Sequence, residues 1–454
     1  MSKTIFITSF HPLISRNILA TGLLGVISRS NKVVLFVPDF KTKYFNEQFA
    51  GENIIIEGVD RALGFRDLFF RSLALAITDT NDLYIKRRAR LHESKKFLRF
   101  LVSIFIARVA GGSSFVLRLV RFLDLALPAP TAFQPFFKKY KPDLIFATDV
   151  QNELDVRILQ EAKKARIKTL GMVRSWDNLT SKGILRAIPD ELVVHNETVK
   201  LEAIKYNFVS PQKIKVVGIP HYDKYVLPPR ISKQEFFKRF GFDLSKKLIL
   251  YAPIGDRYIR DNQTDKYALE TLSSLEANIL VRLPPTDTVS GLEDFSAIGG
   301  PASGGRKTIV ALDKTGFGFE GGGKKQSEIS RDDDQWLASS LYFCDVLVTG
   351  QSTIVIDAAV FDKPAVIVNF DAEARPYWDS ISRYYDYEYY KKFRERTGIR
   401  LARNAEELLA LARKYLQNPE LDGEVRKKII EDQVGLFDGR ASKRLADVLL
   451  SRLQ

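Results

Sequence analysis

One cysteine, two methionines, three tryptophans and four histidines are spread over 454 residues. With Cys344 alone, an intramolecular disulfide and a cysteine-based metal cluster are both excluded, and a reducing compartment fits. His11, His92, His195 and His221 stand singly, so no metal site is expected. No apolar run reaches the ~20 residues of a membrane span. The longest, 97–110, is interrupted by Arg99 and Arg108. The start lacks the charged segment and long apolar block of a signal peptide. It passes from Met-Ser-Lys directly into the alternating run Thr4–Phe10, which reads as a strand. An acidic excess is lacking too: 69 Lys and Arg face 55 Asp and Glu, a net charge of +14 with a pI near 9.5. Nucleic acid, anionic lipid and phosphorylated small molecules all remain open as partners.

What is present is the composition of a folded chain, 45% hydrophobic and 27% charged, long enough for two domains. Strand-like runs at 4–10, 32–37 and 53–56 alternate with helical stretches, among them an amphipathic segment over Asn17–Ser28. The alternation resumes with strands at 142–147, 168–173, 191–195 and 214–218. Leu227-Pro-Pro-Arg230 reads as a linker. A second series follows at 247–252, 277–282, 308–311, 345–349 and 365–369, and a helical tail starts at Asn404, with Glu407 as its capping-box partner. Strands alternating with helices argue a parallel sheet. The expected architecture is α/β, two consecutive Rossmann-like domains with an interdomain cleft. They divide as 1–228 and 229–454, the first carrying a helical insertion at about 64–128.

That insertion is rich in arginine and in large apolar side chains. Phe97, Leu101, Ile104 and Phe105 recur at helical spacing and define one apolar face. Two readings stand: a buried insertion with a solvated basic face, or a surface that meets an anionic membrane. Its phenylalanines lack the pattern of single-strand stacking platforms, which disfavours nucleic acid.

Val348-Thr-Gly-Gln-Ser-Thr353 with Asp357 is the strongest candidate site. A buried strand runs into Gly350 and Gln351, and Ser352 and Thr353 open a helix whose N–H groups could take phosphate oxygens. The same residues could serve only as a helix cap. Arg257 and Arg282, at other strand ends of the second half, would complete a clamp on a diphosphate without metal. Gly318-Phe-Glu-Gly-Gly-Gly-Lys-Lys325 is no P-loop, because Lys325 stands where Ser or Thr is needed. Asp332-Asp-Asp334 reads as a helix cap. No Gly-x-Gly-x-x-Gly follows the first strand, which argues against a dinucleotide oxidoreductase. In the first half, His11 and Arg16 follow the first strand, and His11 could take a proton from a hydroxyl. Arg174, Trp176, Asp177 and Asn178 form a polar-aromatic loop at another strand end. It is suited to sugar recognition or, through Asp177, to acid/base work. Both His11 and the Trp176 loop could equally be structural.

Ser175-Trp-Asp-Asn178, Gly218-Ile-Pro-His-Tyr-Asp223, Tyr251-Ala-Pro253, Asp345-Val-Leu-Val-Thr-Gly-Gln-Ser-Thr353 with Asp357-Ala-Ala and Lys363-Pro364, and Asp438-Gly-Arg-Ala441 together resemble GT-B transferases of the CDP-glycerol glycerophosphotransferase and surface-polysaccharide type, over roughly 140–450. The resemblance implies a glycosyltransferase with no bound cofactor, taking a nucleotide sugar as co-substrate. Gly350, Ser352 and Thr353 would hold its phosphates, with Arg282 nearby. Such enzymes usually carry Arg-x-His-Pro where this chain has Arg282-Leu-Pro-Pro285, which favours a sugar over glycerol phosphate. His11 then becomes the better base candidate, and inversion is implied. The acceptor would be a glycan or lipid-linked intermediate, and the chain cytoplasmic, peripheral on the inner membrane face. The rival readings are a CDP-glycerol-type polyol-phosphate transferase, a UDP-sugar 2-epimerase, and a non-enzymatic membrane- or RNA-binding scaffold.

Overall fold

Strand β1 (Lys3–Thr8) is apolar on both faces, and each face has its own cover. Ile5 and Ile7 pack in one core layer with Val33, Leu35 and Phe45; Phe6 packs in the other with Phe36, Phe137 and Ile158. Burial on both faces is what a parallel sheet between two helical layers requires. The computed structural model describes residues 2–128, 131–259, 262–284, 289–292, 308–319 and 327–453.

With β1 run β2 (Asn31–Pro38), β3 (Ile54–Val59), β4 (Leu144–Ala147), β5 (Lys168–Met172), β6 (Glu191–Val194) and β7 (Ile214–Val216). They form a seven-stranded sheet in the order β3-β2-β1-β4-β5-β6-β7, every pair parallel. The second sheet contains β8 (Leu248–Ala252), β9 (Asn278–Leu283), β10 (Ile309–Lys314), β13 (Val346–Thr349), β14 (Ala365–Val368) and β15 (Arg400–Ala402). Its order is β10-β9-β8-β13-β14-β15, again parallel. A small antiparallel pair, β11 (Phe317–Gly318) and β12 (Ser327–Glu328), stands apart from it. The Gly-rich stretch 320–326 lies outside the described residues.

In both sheets the first strand lies at the centre, the next two go to one side and the fourth to the other. The expected pair of Rossmann-like α/β domains is therefore present. The direction of winding reverses beside β1/β4 and beside β8/β13, and open parallel sheets bind ligands at such points. Each has the same fastening. Thr148, just past β4, donates from Oγ1 to Thr8 O at 2.8 Å. Thr349, ending β13, donates to Ala252 O at 2.9 Å.

The domain limits differ from the expected 228/229. One compact unit is Met1–Asp223 with Gly435–Gln454, and the other is Lys224–Val434. The last helix, Ala441–Ser451, places Leu445, Ala446 and Leu449 in the first unit's core. Asp223 caps it, accepting from Ala441 N and Ser442 N at 2.8 Å each. A Cβ on Gly218, whose φ is +85°, would meet Ala441 and Arg444 at 3.2 and 3.1 Å. Two motifs quoted above, 218–223 and 438–441, are thus one clasp.

The single helix expected over Asn17–Ser28 is a π-turn (Ser15–Leu19), a break and a short helix (Leu23–Ile27). Thr21 makes the break: its hydroxyl donates to Ile18 O at 2.7 Å and accepts from Leu23 N at 3.3 Å. Such local bonding competes with a continuing helix.

The insertion consists of helices Phe65–Ile77, Asn81–Ser94, Phe97–Gly111 and Ser114–Ala126. Phe70, Ala74, Ile77, Leu117 and Val120 form its small core with Ile184. A buried ion network anchors it. Asp124 pairs with Arg186 at 2.8 Å and with Arg66 at 2.8 Å, and Arg157 pairs with Asp67 at 2.5 Å. The buried-insertion reading does not hold for its outer helices: Phe97, Leu101 and Phe105 are exposed. Among the described residues no single helix is long and apolar enough to cross a membrane.

Candidate functional site

In the first unit the loops after β1, β4 and β5 and the end of β6 bring together a cluster of charged and polar groups. Asp149, following β4, is buried and accepts from Arg174 Nε at 2.7 Å and from Asn178 Nδ2 at 3.4 Å. Burial alone pushes its carboxyl up. Arg174, then Lys182 and His11, outweigh that and leave the pKa at about 2. Asp155 accepts from Thr8 Oγ1 at 2.5 Å, and its Oδ2 is buried without a partner. Burial, and then the charge on Asp149, hold its carboxyl well above the usual range. Charge on the first carboxyl is favoured by its cationic neighbours, and charge on the second is disfavoured by burial and by the first.

His11 caps the helical turn after β1, its Nδ1 accepting from Leu13 N at 3.2 Å. Burial, then Arg174, lower its pKa to about 3. With Nδ1 taken by a backbone N–H, the neutral ring carries its proton on Nε2. That makes it a donor, whereas the sequence suggests a base. Asp177 is committed to Ser175 Oγ at 2.9 Å and Ser181 Oγ at 3.0 Å, so it shapes the loop. Trp176 is buried against His195, ring centres 5.5 Å apart, and offers no open face for a sugar. Arg16 is half-buried in the π-turn, and Asn178 is buried.

Sequence reasoning missed Asp149, Asp155, Lys182, His195 and Asn17. His195, at the end of β6, lines a cavity of about 10 Å³, room for roughly one water, with Asn17, Thr148, Met172, Arg174 and His221. Its Nδ1 and the Oδ1 of Asn17 are buried and unpartnered. Burial, then Arg174, lower the His195 pKa to about 4.

In the second unit the ends of β8 and β13 are in register, Ala252 beside Thr349. The loops that follow are in contact. A Cβ on Gly350 would lie 2.6 Å from Ile254 Cγ1, so the glycine is required by the neighbouring loop. That loop is fixed by Asp265, which accepts from Ile254 N at 2.8 Å, Gly255 N at 3.0 Å, Tyr251 OH at 2.6 Å and Asn262 Nδ2 at 2.6 Å. Ser352 Oγ accepts from Ile354 N at 3.4 Å, and Thr353 precedes the helix Ile354–Val360 without capping it. Gln351 has both Oε1 and Nε2 buried with no partner. Asp357 accepts from Tyr225 OH at 3.2 Å.

The arginines do not form the expected clamp. Arg282 is ion-paired with Asp313 and donates to Asp333 O at 2.7 Å, which commits it to its own sheet edge. Arg257 is exposed beside Tyr258. Pro285, the end of the departing Arg-x-His-Pro position, lies outside the described residues. The acidic run opens a helix as expected, and Asp333 forms a capping box there with Ser330.

Solved structures share this fold over nearly the whole chain. A putative UDP-N-acetylglucosamine 2-epimerase from Listeria monocytogenes aligns with a TM-score of 0.57 and 10% identity, covering 100% of this chain and 97% of that one. UDP-GlcNAc 2-epimerase from Methanocaldococcus jannaschii aligns at 0.53 and 11% identity, covering 99% and 100%. The enzyme from Neisseria meningitidis, bound to UDP-GlcNAc, aligns at 0.51 and 11% identity over 99% and 100%. No curated protein matches the chain by sequence. Residues 323–451 match the model of the family CDP-Glycerol:Poly(glycerophosphate) glycerophosphotransferase. The match lies in the C-terminal part of a chain whose two parallel sheets follow the fold these structures share.

Proposed function

We propose that the chain transfers a sugar, with inversion and without metal, from a nucleotide-activated donor to a hydroxyl of a glycan or lipid-linked acceptor. Gln351 carries the reading. Its amide can make four hydrogen bonds, yet both polar atoms are buried without a partner at the point where the second sheet reverses. Leaving such groups unsatisfied costs about 1–3 kcal/mol each, which a donor phosphate or nucleotide would recover. The family match over 323–451 supports a donor of the nucleotide-diphosphate class at the same loop.

Gly350, Gln351, Ser352 and Thr353 then bind and stabilise the departing phosphate, with Asp357 holding the helix behind them. Arg257, exposed in the loop after β8, is the arginine we assign to a donor phosphate, whereas Arg282 is held by Asp313. In the first unit Arg16, Arg174, Trp176 and Asn178 shape the acceptor side. His11 orients the attacking hydroxyl through Nε2–H.

The test is a thermal-shift screen against UDP, CDP, GDP and their sugar conjugates, with and without chelator. A ligand at a hundred times its Kd should stabilise by about 2.7 kcal/mol. The Gln351→Ala and Ser352→Ala/Thr353→Ala variants should lose that shift. A folded protein that responds to no nucleotide overturns the reading. His11→Asn keeps a donor and lacks a basic nitrogen. Retained kcat supports the orienting role, and a loss of about a hundredfold or more restores the base role.

A 2-epimerase is the second reading, favoured by the grouping of Asp149, Asp155 and His11 at the strand ends of the first unit, side chains of the type that exchange a proton at carbon. Incorporation of solvent deuterium into a UDP-sugar, with no acceptor present, would decide for it.

A further inference from the structure

The two outer helices of the insertion, Phe97–Gly111 and Ser114–Ala126, expose what soluble proteins cover. Of the 27 large hydrophobic residues found exposed among the described residues, sixteen lie between Phe65 and Leu127. Phe65 is 84% exposed, Leu98 74%, Phe115 72%, Phe105 68% and Phe122 65%. Ala107 is the only buried residue of the Phe97–Gly111 helix. Monomeric soluble proteins rarely leave contiguous apolar surface on this scale.

The charge around that surface has one sign. Segment 61–128 holds thirteen Lys and Arg against five Asp and Glu, eight of the fourteen net positive charges of the chain. Three of the five acids, Asp67, Asp82 and Asp124, are buried. Lys95, Lys96, Arg99, Arg108 and Arg118 are exposed among the apolar residues. A second copy of the same face would meet it with like charge. Nucleic acid would match the charge and leave the Leu, Val and Ile side chains unused.

We infer that this face docks on an anionic bilayer as a monotopic, in-plane insertion. At 15 residues the first helix is about 22 Å long, short of the ~30 Å hydrocarbon core. The two helices meet at a bend of 99°. Leu117 and Val120 tie the second to the insertion's core, and the neighbouring Asp124 pairs with Arg186, so neither helix leaves the protein to span. Their phenylalanines and leucines enter the acyl boundary, and the lysines and arginines reach lipid phosphates from the same helices. This goes beyond the proposed transfer and does not rest on it.

Flotation of the full chain decides it, using vesicles of phosphatidylcholine and phosphatidylglycerol in equal parts and vesicles of phosphatidylcholine alone. The protein should float with the mixed vesicles and much less with the neutral ones. Phe105→Ser/Phe122→Ser, at exposed positions, should keep the melting temperature and lose affinity by about tenfold or more. Lys95→Glu/Lys96→Glu/Arg99→Glu should abolish the anionic preference. Phe105→Trp should shift its emission to the blue on mixed vesicles, which adsorption through charge alone would not do. Leu201→Ser, exposed on another helix, should change nothing, and nucleotide binding should survive in every variant. Equal flotation of the Phe105→Ser/Phe122→Ser variant overturns the proposal. So does absence of flotation, a wild-type dimer that this variant splits, or retention of RNA in place of vesicles.

Discussion

His11 and His195 show what burial does to a side chain that titrates near neutrality in water. Unfolded, each takes a proton near 6.5; folded, they wait until about 3 and about 4. Between those values unfolding takes up protons, so their contribution to stability is complete above 6.5 and is lost as pH falls. Labelled-histidine NMR should find both rings unmoved as the solution is taken down through 6.5. A second residue-scale expectation separates the two carboxyls. Asp155→Asn keeps the shape of a carboxyl whose charge is disfavoured by burial and by Asp149, and should be tolerated. Asp149→Asn strands Arg174 in a buried site and should cost about 3–5 kcal/mol in chemical denaturation. None of this was legible in the chain. Thr148-Asp149 reads as the end of a strand, and its partners come from the end of β1 and the segment after β5, joined only once the strand order is known. What a few neighbouring residues decide was legible in part: the acidic run 332–334 does open a helix, and Asn404 caps its helix by accepting from Glu407 N, while Glu407 accepts from Arg403 N instead of Asn404 N.

At the scale of elements, the loops after β8 and β13 form a matched pair. Gly350→Ala would press a methyl group into Ile254 and should cost about 1–3 kcal/mol. Ile254→Ala should relieve most of that, so the two changes made together should cost less than their sum. The motif Tyr251-Ala-Pro253, read from sequence as a family mark, acquires a physical task. Its tyrosine binds the carboxylate that fixes this loop. The helical insertion was legible as helix and as apolar stripe. Periodicity tells which residues share a face and is silent on whether anything covers it. Asp124→Ala, removing the acid that holds Arg66 and Arg186, should destabilise the protein by about 3–5 kcal/mol, with the insertion opening first in hydrogen exchange.

For the whole molecule, two parallel sheets were read correctly, but β15 and the small β11–β12 pair were missed, as was the path of the last helix. Amphipathic periodicity marks Ala441–Ser451 as a helix that must be covered, and nothing local says by which sheet. A chain ending at Val434 should keep the second unit folded and lose the first, as seen by limited proteolysis. The same path sets a timetable for synthesis. Ribosomes add about 5–20 residues per second, so the ~210 residues separating Asp223 from Gly435 occupy ten to forty seconds. Throughout that interval the first sheet waits on its nascent chain with the layer meant for Leu445, Ala446 and Leu449 uncovered, while the later-made unit can close first. The order of completion is thus the reverse of the order of translation.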